Sequence, residues 1–231
     1  MDRSPRNLEA LVEHQVRRWS TGSSPAVSRG AKVAHRPVIT ISREYGARGA
    51  ALGRLIADQL GFDFWDQKIV HAIAEDAGLA DRVIETVDEH RQNAIASALA
   101  SVIENPGLTR SEYAARLGKV VKTVSEHGAA VLVGRGAQYI LDPKHCLRVR
   151  VVMPLEERVA GLRARKGLDD RTARAELREV DEDRAAFMQQ TYGRAIANAA
   201  DYDVVVNTSQ LGLEGAAAVV TAAYRARFGA A

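Results

Sequence analysis

Short apolar runs alternate with amphipathic segments along most of this 231-residue chain. Because the helical segments would cover both faces of the sheet, such runs predict an α/β fold with a five-stranded parallel sheet. Ligands of such sheets bind at the carboxyl ends of the strands. The predicted strands are VITIS at 38–42, FDFWD at 62–66, AAVLVGR at 129–135, CLRVRVVM at 146–153 and YDVVVN at 202–207.

Apolar residues recur at helical spacing between these runs. Thr109 and Glu112 have the spacing of a capping box and predict a helix start. The other predicted helices cover residues 7–19, 51–61, a segment through Ile69, Ile73 and Ala77, then 81–105, a charge-rich stretch over 154–199, and 213–228.

The N-terminal 36 residues form an appendage to the main domain at 37–231. They predict a helix followed by a flexible linker that ends at Pro37. The apolar stripe of this helix should dock on the main domain or on another subunit, since exposure of its tryptophan to water is unfavourable. We therefore expect a homodimer through this helix. The stripe consists of Leu8, Leu11, Val12, Val16 and Trp19.

The composition, 46% hydrophobic and 26% charged, is that of ordinary globular proteins. A net charge of +3 argues neither for nor against nucleic acid, and we expect no nucleic-acid partner. No apolar run approaches the roughly 18 residues of a membrane span, so no membrane partner is expected. The single cysteine, Cys146, favours a reducing compartment, which predicts a cytoplasmic protein.

The first predicted strand runs into a glycine-rich turn that opens a helix. This arrangement directs backbone N–H groups and the positive end of the helix dipole at one point, which is typical of an anion site. Gly46 and Gly49 allow a tight turn, and Arg43 and Arg48 flank it. The alternative is a strand–helix connection that merely uses glycine.

A dinucleotide site is a second interpretation of the same loop. Asp66 lies 20 residues after Gly46, near the spacing of a ribose-binding acid. The glycines at 46, 49 and 53 do not follow G-x-G-x-x-G, however, and no downstream Tyr-x-x-x-Lys pair is present. The sequence therefore offers little support for hydride transfer.

Two further arginines are predicted at the ligand edge of the sheet. Arg135 follows the third strand between two glycines, which leave room for an anion. Arg184 falls on the apolar face of a helix, with Asp181 three residues earlier to orient it. The alternatives are a surface arginine in a loop and a paired arginine at a helix edge.

A basic cluster follows the fourth strand and contains Arg158, Arg163, Arg165 and Lys166. Such a cluster either closes over a polyphosphate or forms a solvated helix face.

Taken in order, ITISREYGARGAALGRLIADQLG, FDFWDQKIV, VLVGRGAQYIL, PLEERVAGLR, DEDRAAF and YDVVVNTS resemble the cytidylate kinase-like proteins, a branch of the P-loop nucleoside monophosphate kinases. The resemblance implies a three-layer P-loop NTPase fold with a helical lid at about 155–199. It also implies transfer of the γ-phosphoryl group of ATP to CMP, dCMP or a related nucleotide, with Mg²⁺.

The resemblance implies site residues by position. Asp66 and Arg135 would bind the acceptor nucleotide, and Asp181, which can orient Arg184, is expected on the same substrate-binding side. The residues implied for ATP are Gly46, Ala47, Arg48, Gly49, Ala50, Ala51, Asn207 and Thr208, with Arg43 beside the loop, and the catalytic residues are Arg48, Arg158 and Arg184. No residue is assigned as a metal ligand.

The chain departs from the P-loop pattern at three positions. Gly49 stands where the lysine is usual, Ala50 where a hydroxyl binds Mg²⁺, and His71 where cytidylate kinases have a Tyr-Arg pair. We expect Arg48, Arg43 or a lid arginine to replace the lysine. The alternative function is a nucleotide-binding regulatory protein on a kinase scaffold with little or no turnover.

Overall fold

The computed structural model describes residues 5–20, 36–87, 92, 95 and 108–229. Its sheet has five parallel strands in the order β2-β3-β1-β4-β5. The five strands are β1 (Val38–Arg43), β2 (Asp63–Trp65), β3 (Ala130–Val133), β4 (Cys146–Val152) and β5 (Val204–Asn207). The predicted parallel α/β sheet is confirmed, and the central strand β1 leads into the glycine-rich loop.

Helices connect the strands and cover both faces of the sheet. Two 3₁₀ turns, Pro143–His145 and Ala199–Asp201, complete the connections. The helices are α1 (Pro5–Ser20), α2 (Gly49–Leu60), α3 (Gln67–Glu75), α4 (Ala77–Ile84), α5 (Leu108–His127), α6 (Ala137–Ile140), α7 (Leu155–Lys166), α8 (Asp170–Tyr192) and α9 (Thr208–Phe228).

Side-chain alternation along β1 explains the two-sided core. Ile39 and Ile41 point to the face covered by α2 and α9, where they pack with Leu52 and Ile56. Val38 belongs to the core on the other face, which is built mainly from α3, α4 and α5. Successive strand residues point to opposite faces, so a strand buried on both sides is apolar throughout.

The helix α1 packs on its own chain beside the edge strand β2. The Trp19 ring stacks on Trp65 with ring centroids 5.4 Å apart and on His127 at 3.9 Å. Arg18 Nη1 donates to Asp63 Oδ1 over 2.8 Å, and Gln15 Nε2 donates to Asp63 Oδ2 over 2.6 Å. The homodimer through this helix stays a prediction, as does the boundary at residue 36.

Two predicted helix boundaries are wrong. The segment through Ile69 and Ile73 ends at Glu75, and a new helix starts because Asp76 Oδ1 accepts from Leu79 N over 3.1 Å. The helix predicted from residue 81 thus begins at Ala77 and ends at Ile84. The rest of that predicted helix, the linker and the Thr109 side chain lie outside the described residues.

The charge-rich stretch after β4 forms the helical hairpin α7–α8. Val159, Leu162, Ala173 and Leu177 make a small apolar cluster between the two helices, and Tyr45 of the loop packs against this cluster. The predicted lid is therefore two helices joined at Gly167, whose left-handed backbone ends α7. Among the described residues, no helix is long and apolar enough to cross a membrane.

Candidate functional site

The loop between β1 and α2 has the backbone geometry of an anion cradle. Gly46 has a φ of 86°, and Arg48 adopts the left-handed conformation with φ 62° directly before the helix. Arg48 caps α2 without a side-chain hydrogen bond. The first-turn N–H groups of a helix have no intrahelical acceptors, so they face this loop together with the positive end of the helix dipole.

Gly49, the first residue of α2, makes room for the side chain of Arg43. A Cβ atom at position 49 would lie 2.7 Å from Arg43 Cβ and 2.9 Å from Arg43 Cγ. Such distances are too short for carbon atoms that are not bonded to each other. The position that holds the lysine in other P-loops is therefore closed to any side chain while Arg43 lies where it does.

The guanidinium of Arg43 extends across the end of β3. A Cβ atom at Gly134 would lie 2.2 Å from Arg43 Nη1, and Arg43 Nη2 donates to Gln67 Oε1. Gly49 and Gly134 together form a channel that fits this one arginine. Arg43, rather than Arg48, thus carries its charge from the loop into the interior, whereas the Arg48 side chain is exposed.

Four arginines from four different elements converge at this edge of the sheet. Burial, followed by the charges of Arg184 and Arg135 and, more weakly, Arg150, lowers the pKa of Arg43 to about 9. Asp66 opposes this shift. Burial is also the main cause of the lowered pKa of Arg184. So much positive charge in partly buried positions is unfavourable unless an anion binds there.

The four guanidinium groups use only part of their donors within the chain. Arg184 Nη1 donates to the Arg43 carbonyl over 3.1 Å and lies 3.7 Å from Asp181 Oδ1, and Arg150 Nη1 donates to Ser42 Oγ over 2.9 Å. The buried Nε of Arg135 has no hydrogen-bond partner in the described part of the chain. Guanidinium N–H groups that make none of these bonds can donate to the oxygens of a phosphate.

Three of the four arginines line one cavity of about 630 Å³, which is in the range of small-molecule sites. It lies at the ligand edge of β1 and β3 and is bounded by α3, α5 and α8. Arg43, Arg135 and Arg184 belong to its lining, with Phe187 and Val180 as apolar walls. Another part of the lining is formed by Glu75, His71 and Tyr113.

Arg158 and Asp181 lie beside the loop and join it to the lid. Asp181 Oδ1 accepts from the Tyr45 N–H over 2.7 Å, and Asp181 Oδ2 accepts from Arg158 Nη1 over 2.6 Å. Arg158 Nη1 also donates to the Tyr45 carbonyl over 3.2 Å, and Arg158 Nε donates to the Met153 carbonyl over 3.0 Å. We call the contacts of Tyr45, Arg158 and Asp181 the lid latch.

The Asp181→Asn variant is expected to weaken the binding of inorganic triphosphate at the loop by about tenfold, since an amide weakens the charge-assisted bond to Arg158 by about 1–2 kcal/mol. The loop would then be held less firmly against α8. Calorimetric titration with triphosphate measures this effect. Glu182→Gln, an exposed neighbour on the same helix, is the matched control. An Asp181→Asn protein with the affinity of the wild type would contradict this role of the latch.

The remaining predicted residues support the loop or cap helices. Asp66 Oδ1 accepts from the N–H groups of Lys68 and Ile69 over 2.9 and 3.1 Å and so caps α3. Asn207 caps α9 through Ser209 N at 2.9 Å. The hydroxyl of the buried Thr208, the first residue of α9, donates to the Ala47 carbonyl over 3.0 Å and so ties the loop to α9. Ala50 and Ala51 are exposed on the first turn of α2.

Arg150 was not predicted as a site residue. It lies on β4 beside Ser42 of the central strand and is 8% exposed. Arg148, two residues earlier on this strand, pairs with Asp203 at 2.9 Å, whereas Arg150 points its Nη1 at the hydroxyl of Ser42. A charged residue inside a predicted buried strand was the signal that could have identified it.

A glycine-rich loop between the central strand and a helix, together with the strand order 2-3-1-4-5, defines a P-loop NTPase fold. The model of the cytidylate kinase-like family matches residues 38–210. This match covers most of the chain, which therefore belongs to the cytidylate kinase-like family. No curated protein sequence matches the chain.

A solved structure has the same fold: an uncharacterized protein from Eubacterium ventriosum is similar with a TM-score of 0.66 and 17% identity, over 83% of this chain and 99% of that chain. Shikimate kinase from Bacteroides thetaiotaomicron has a TM-score of 0.44 and 15% identity, over 80% of this chain and 97% of that chain. Shikimate kinase from Acinetobacter baumannii, in complex with shikimate, has a TM-score of 0.41 and 17% identity, over 83% of this chain and 92% of that chain. The last two TM-scores lie below 0.5 and bear on neither fold nor function.

Proposed function

We propose that this protein is a nucleoside monophosphate kinase that transfers the γ-phosphoryl group of ATP to CMP, dCMP or a related nucleotide. The observation that supports this most is the convergence of Arg43, Arg135, Arg150 and Arg184 beside the loop. Phosphoryl transfer depends mainly on positioning and on neutralising the charge of the transition state. Four guanidinium groups at one point suit that task.

The residues divide between the two substrates. The loop N–H groups of 46–51 and the exposed Arg48 would hold the ATP phosphates. Arg135, at the other side of Arg43, would bind the acceptor phosphate. Arg43 and Arg184 lie between these positions, where the transferred group would pass, and we infer that Arg43 takes over the charge of the missing lysine.

Magnesium would enter with the nucleotide. No group of three His, Cys, Asp or Glu side chains that could hold a metal lies within the described ranges, and Ala50 offers no hydroxyl. Mg²⁺ in kinases is held largely by substrate phosphates and water, so these residues suit a nucleotide-bound ion. They do not form a protein cage for one.

The test is a panel of nucleoside monophosphates with ATP and Mg²⁺, in which ADP formation is measured. Wild type should phosphorylate a pyrimidine monophosphate. Arg135→Met should raise the KM for the acceptor by about 30–100-fold, because a charge-assisted bond of about 2–3 kcal/mol is lost. Arg178→Met, an exposed arginine on α8, is the control. An unchanged KM in Arg135→Met would contradict the placement of the acceptor phosphate.

The second candidate function is that of a regulatory nucleotide-binding protein. It is favoured by Gly49 at the position of the usual P-loop lysine and by Ala50 at the position of the hydroxyl that binds Mg²⁺. Tight binding of ATP and CMP by calorimetry without ADP formation would establish it over the kinase. Cytoplasmic localisation and the lack of nucleic-acid partners stay predictions. Cell fractionation and an electrophoretic shift assay would test them.

A further inference from the structure

Three polar side chains form a hydrogen-bonded chain along the cavity wall at α3 and α5. Tyr113 Oη lies 2.9 Å from His71 Nδ1, and His71 Nε2 lies 3.2 Å from Glu75 Oε1. His71 and Glu75 are one helical turn apart on α3, and Tyr113 comes from α5. All three line the cavity that contains the arginines.

The partners determine where the protons lie. An ionised carboxylate only accepts hydrogen bonds, so His71 Nε2 carries the proton that faces Glu75. Burial and the charge of Arg135 lower the pKa of His71, which keeps the ring neutral near pH 7 and leaves Nδ1 as an acceptor. Tyr113 must then donate its hydroxyl proton to Nδ1. Burial raises the pKa of Tyr113, so the hydroxyl keeps that proton.

This wall therefore presents only acceptors to a ligand. The lone pairs of Tyr113 Oη and the remaining lone pairs of the Glu75 carboxylate can accept hydrogen bonds from a ligand. Neither group can donate one, because the Tyr113 proton is bonded to His71 and the carboxylate carries no proton. A ligand carbonyl placed there would be repelled, whereas an amino group with two N–H bonds would be bound. An exocyclic amino group of this kind distinguishes cytosine and adenine from thymine and uracil.

A donor lies elsewhere in the lining of the same cavity. Gln138 is 4% exposed, and its amide Nε2 has no hydrogen-bond partner in the parts of the chain that the structure describes. A buried amide without a partner is unfavourable, which is a reason for a ligand to supply the acceptor. Apart from the arginines, the lining therefore offers Tyr113 and Glu75 as acceptors and the amide of Gln138 as a neutral donor. An amino-bearing base also has a carbonyl or ring nitrogen that accepts.

We propose that Glu75 and Tyr113 are specificity-determining residues that select an acceptor with an amino-bearing base, and that His71 is the positioning residue that keeps the Tyr113 lone pairs toward the ligand. This inference rests on the proposed function, because it places the phosphate of the acceptor at Arg135. Arg135 lines the same cavity of about 630 Å³ as His71, Glu75 and Tyr113, so one nucleotide can contact the two regions together.

The test compares CMP and UMP, first by calorimetric binding without ATP and then by ADP formation. Wild type should bind CMP at least about tenfold more tightly than UMP, since a site that hydrogen-bonds a substrate group rejects an analogue that lacks it. Glu75→Gln, which can donate from its amide, should reduce this ratio by about tenfold. Tyr113→Phe should reduce the ratio of CMP to UMP affinity because CMP loses an acceptor. His71→Phe should also reduce this ratio, because the Tyr113 hydroxyl is then free to donate to UMP.

The control is Glu112→Gln, the same exchange at an exposed residue of α5, which should leave the ratio unchanged. Melting temperatures exclude loss of fold as the cause. Equal binding of CMP and UMP by wild type, or an unchanged ratio in Glu75→Gln, would overturn the inference even if the protein is an active kinase. Selective CMP binding without ADP formation would instead support the inference and contradict the proposed kinase.

Discussion

Replacing Arg43 by methionine is expected to lower kcat/KM by on the order of 10³, because one positioned arginine at the transferred phosphoryl group is worth that much in related reactions. The methionine keeps the apolar stem that lies in the channel of Gly49 and Gly134 and removes only the charge. The loss should appear mainly in kcat if Arg43 acts on the transition state rather than on the bound substrates.

The same variant should be more stable than wild type when no anion is bound. Burial and the neighbouring arginines lower the pKa of Arg43 in the folded protein to about 9, well below its ordinary value. A cation with a lowered folded pKa destabilises the fold at all pH values below that pKa, and the cost falls only as the pH rises above about 9. With the bond to Gln67 lost, the net gain is on the order of 1–3 kcal/mol.

Urea unfolding at pH 7, with and without added phosphate, measures both effects. Phosphate should stabilise the wild type more than the Arg43→Met variant, because it binds the folded state through the arginine cluster. Arg178→Met serves again as the exposed control. An Arg43→Met variant that is both less stable and fully active would show that Arg43 is only a structural residue.

Restoring the usual P-loop lysine is expected to inactivate this protein. In Gly49→Lys the new Cβ would lie 2.7 Å from Arg43 Cβ, so the start of α2 or the end of β1 must shift. We expect a destabilisation on the order of 1–3 kcal/mol and at least about a hundredfold loss of activity. The double variant Arg43→Gly with Gly49→Lys removes the collision and should regain most of the lost stability.

A double-mutant cycle on these two positions gives the coupling free energy from urea unfolding of the four proteins. Ala50→Lys, one residue along on the exposed side of α2, controls for an added lysine in the loop. A Gly49→Lys protein with higher activity than wild type would contradict the packing of Arg43 in the glycine channel.

The sheet was predictable because its strands are continuous apolar runs between helical segments. The position of Arg135 was predictable for a similar reason, since a strand end followed by glycines lies at the ligand edge of a parallel sheet. The break at Asp76 was missed, although an aspartate before a helical segment is a usual start signal. The prediction used only the spacing of apolar residues, which continues from α3 into α4 and therefore extended the first helix past Asp76.

The path of Arg43 could not be predicted from the sequence. Its channel needs Gly49 and Gly134, which lie on elements far apart in the chain and meet only in the folded sheet. Arg43 and Arg48 flank the same turn in the sequence, yet the first is half-buried and the second exposed. Asp181 likewise binds Tyr45 N from a distant helix, so no local pattern indicates that contact.

We propose that the arginine cluster brings the γ-phosphoryl group of ATP to an acceptor phosphate. The transfer of radiolabelled γ-phosphate from ATP to CMP by wild type and by Arg43→Met tests this role. We expect labelled CDP from wild type at about 1–100 turnovers per second, and on the order of 10³ less from the variant. Wild-type protein that binds both ATP and CMP and forms no labelled diphosphate would contradict this role of the cluster.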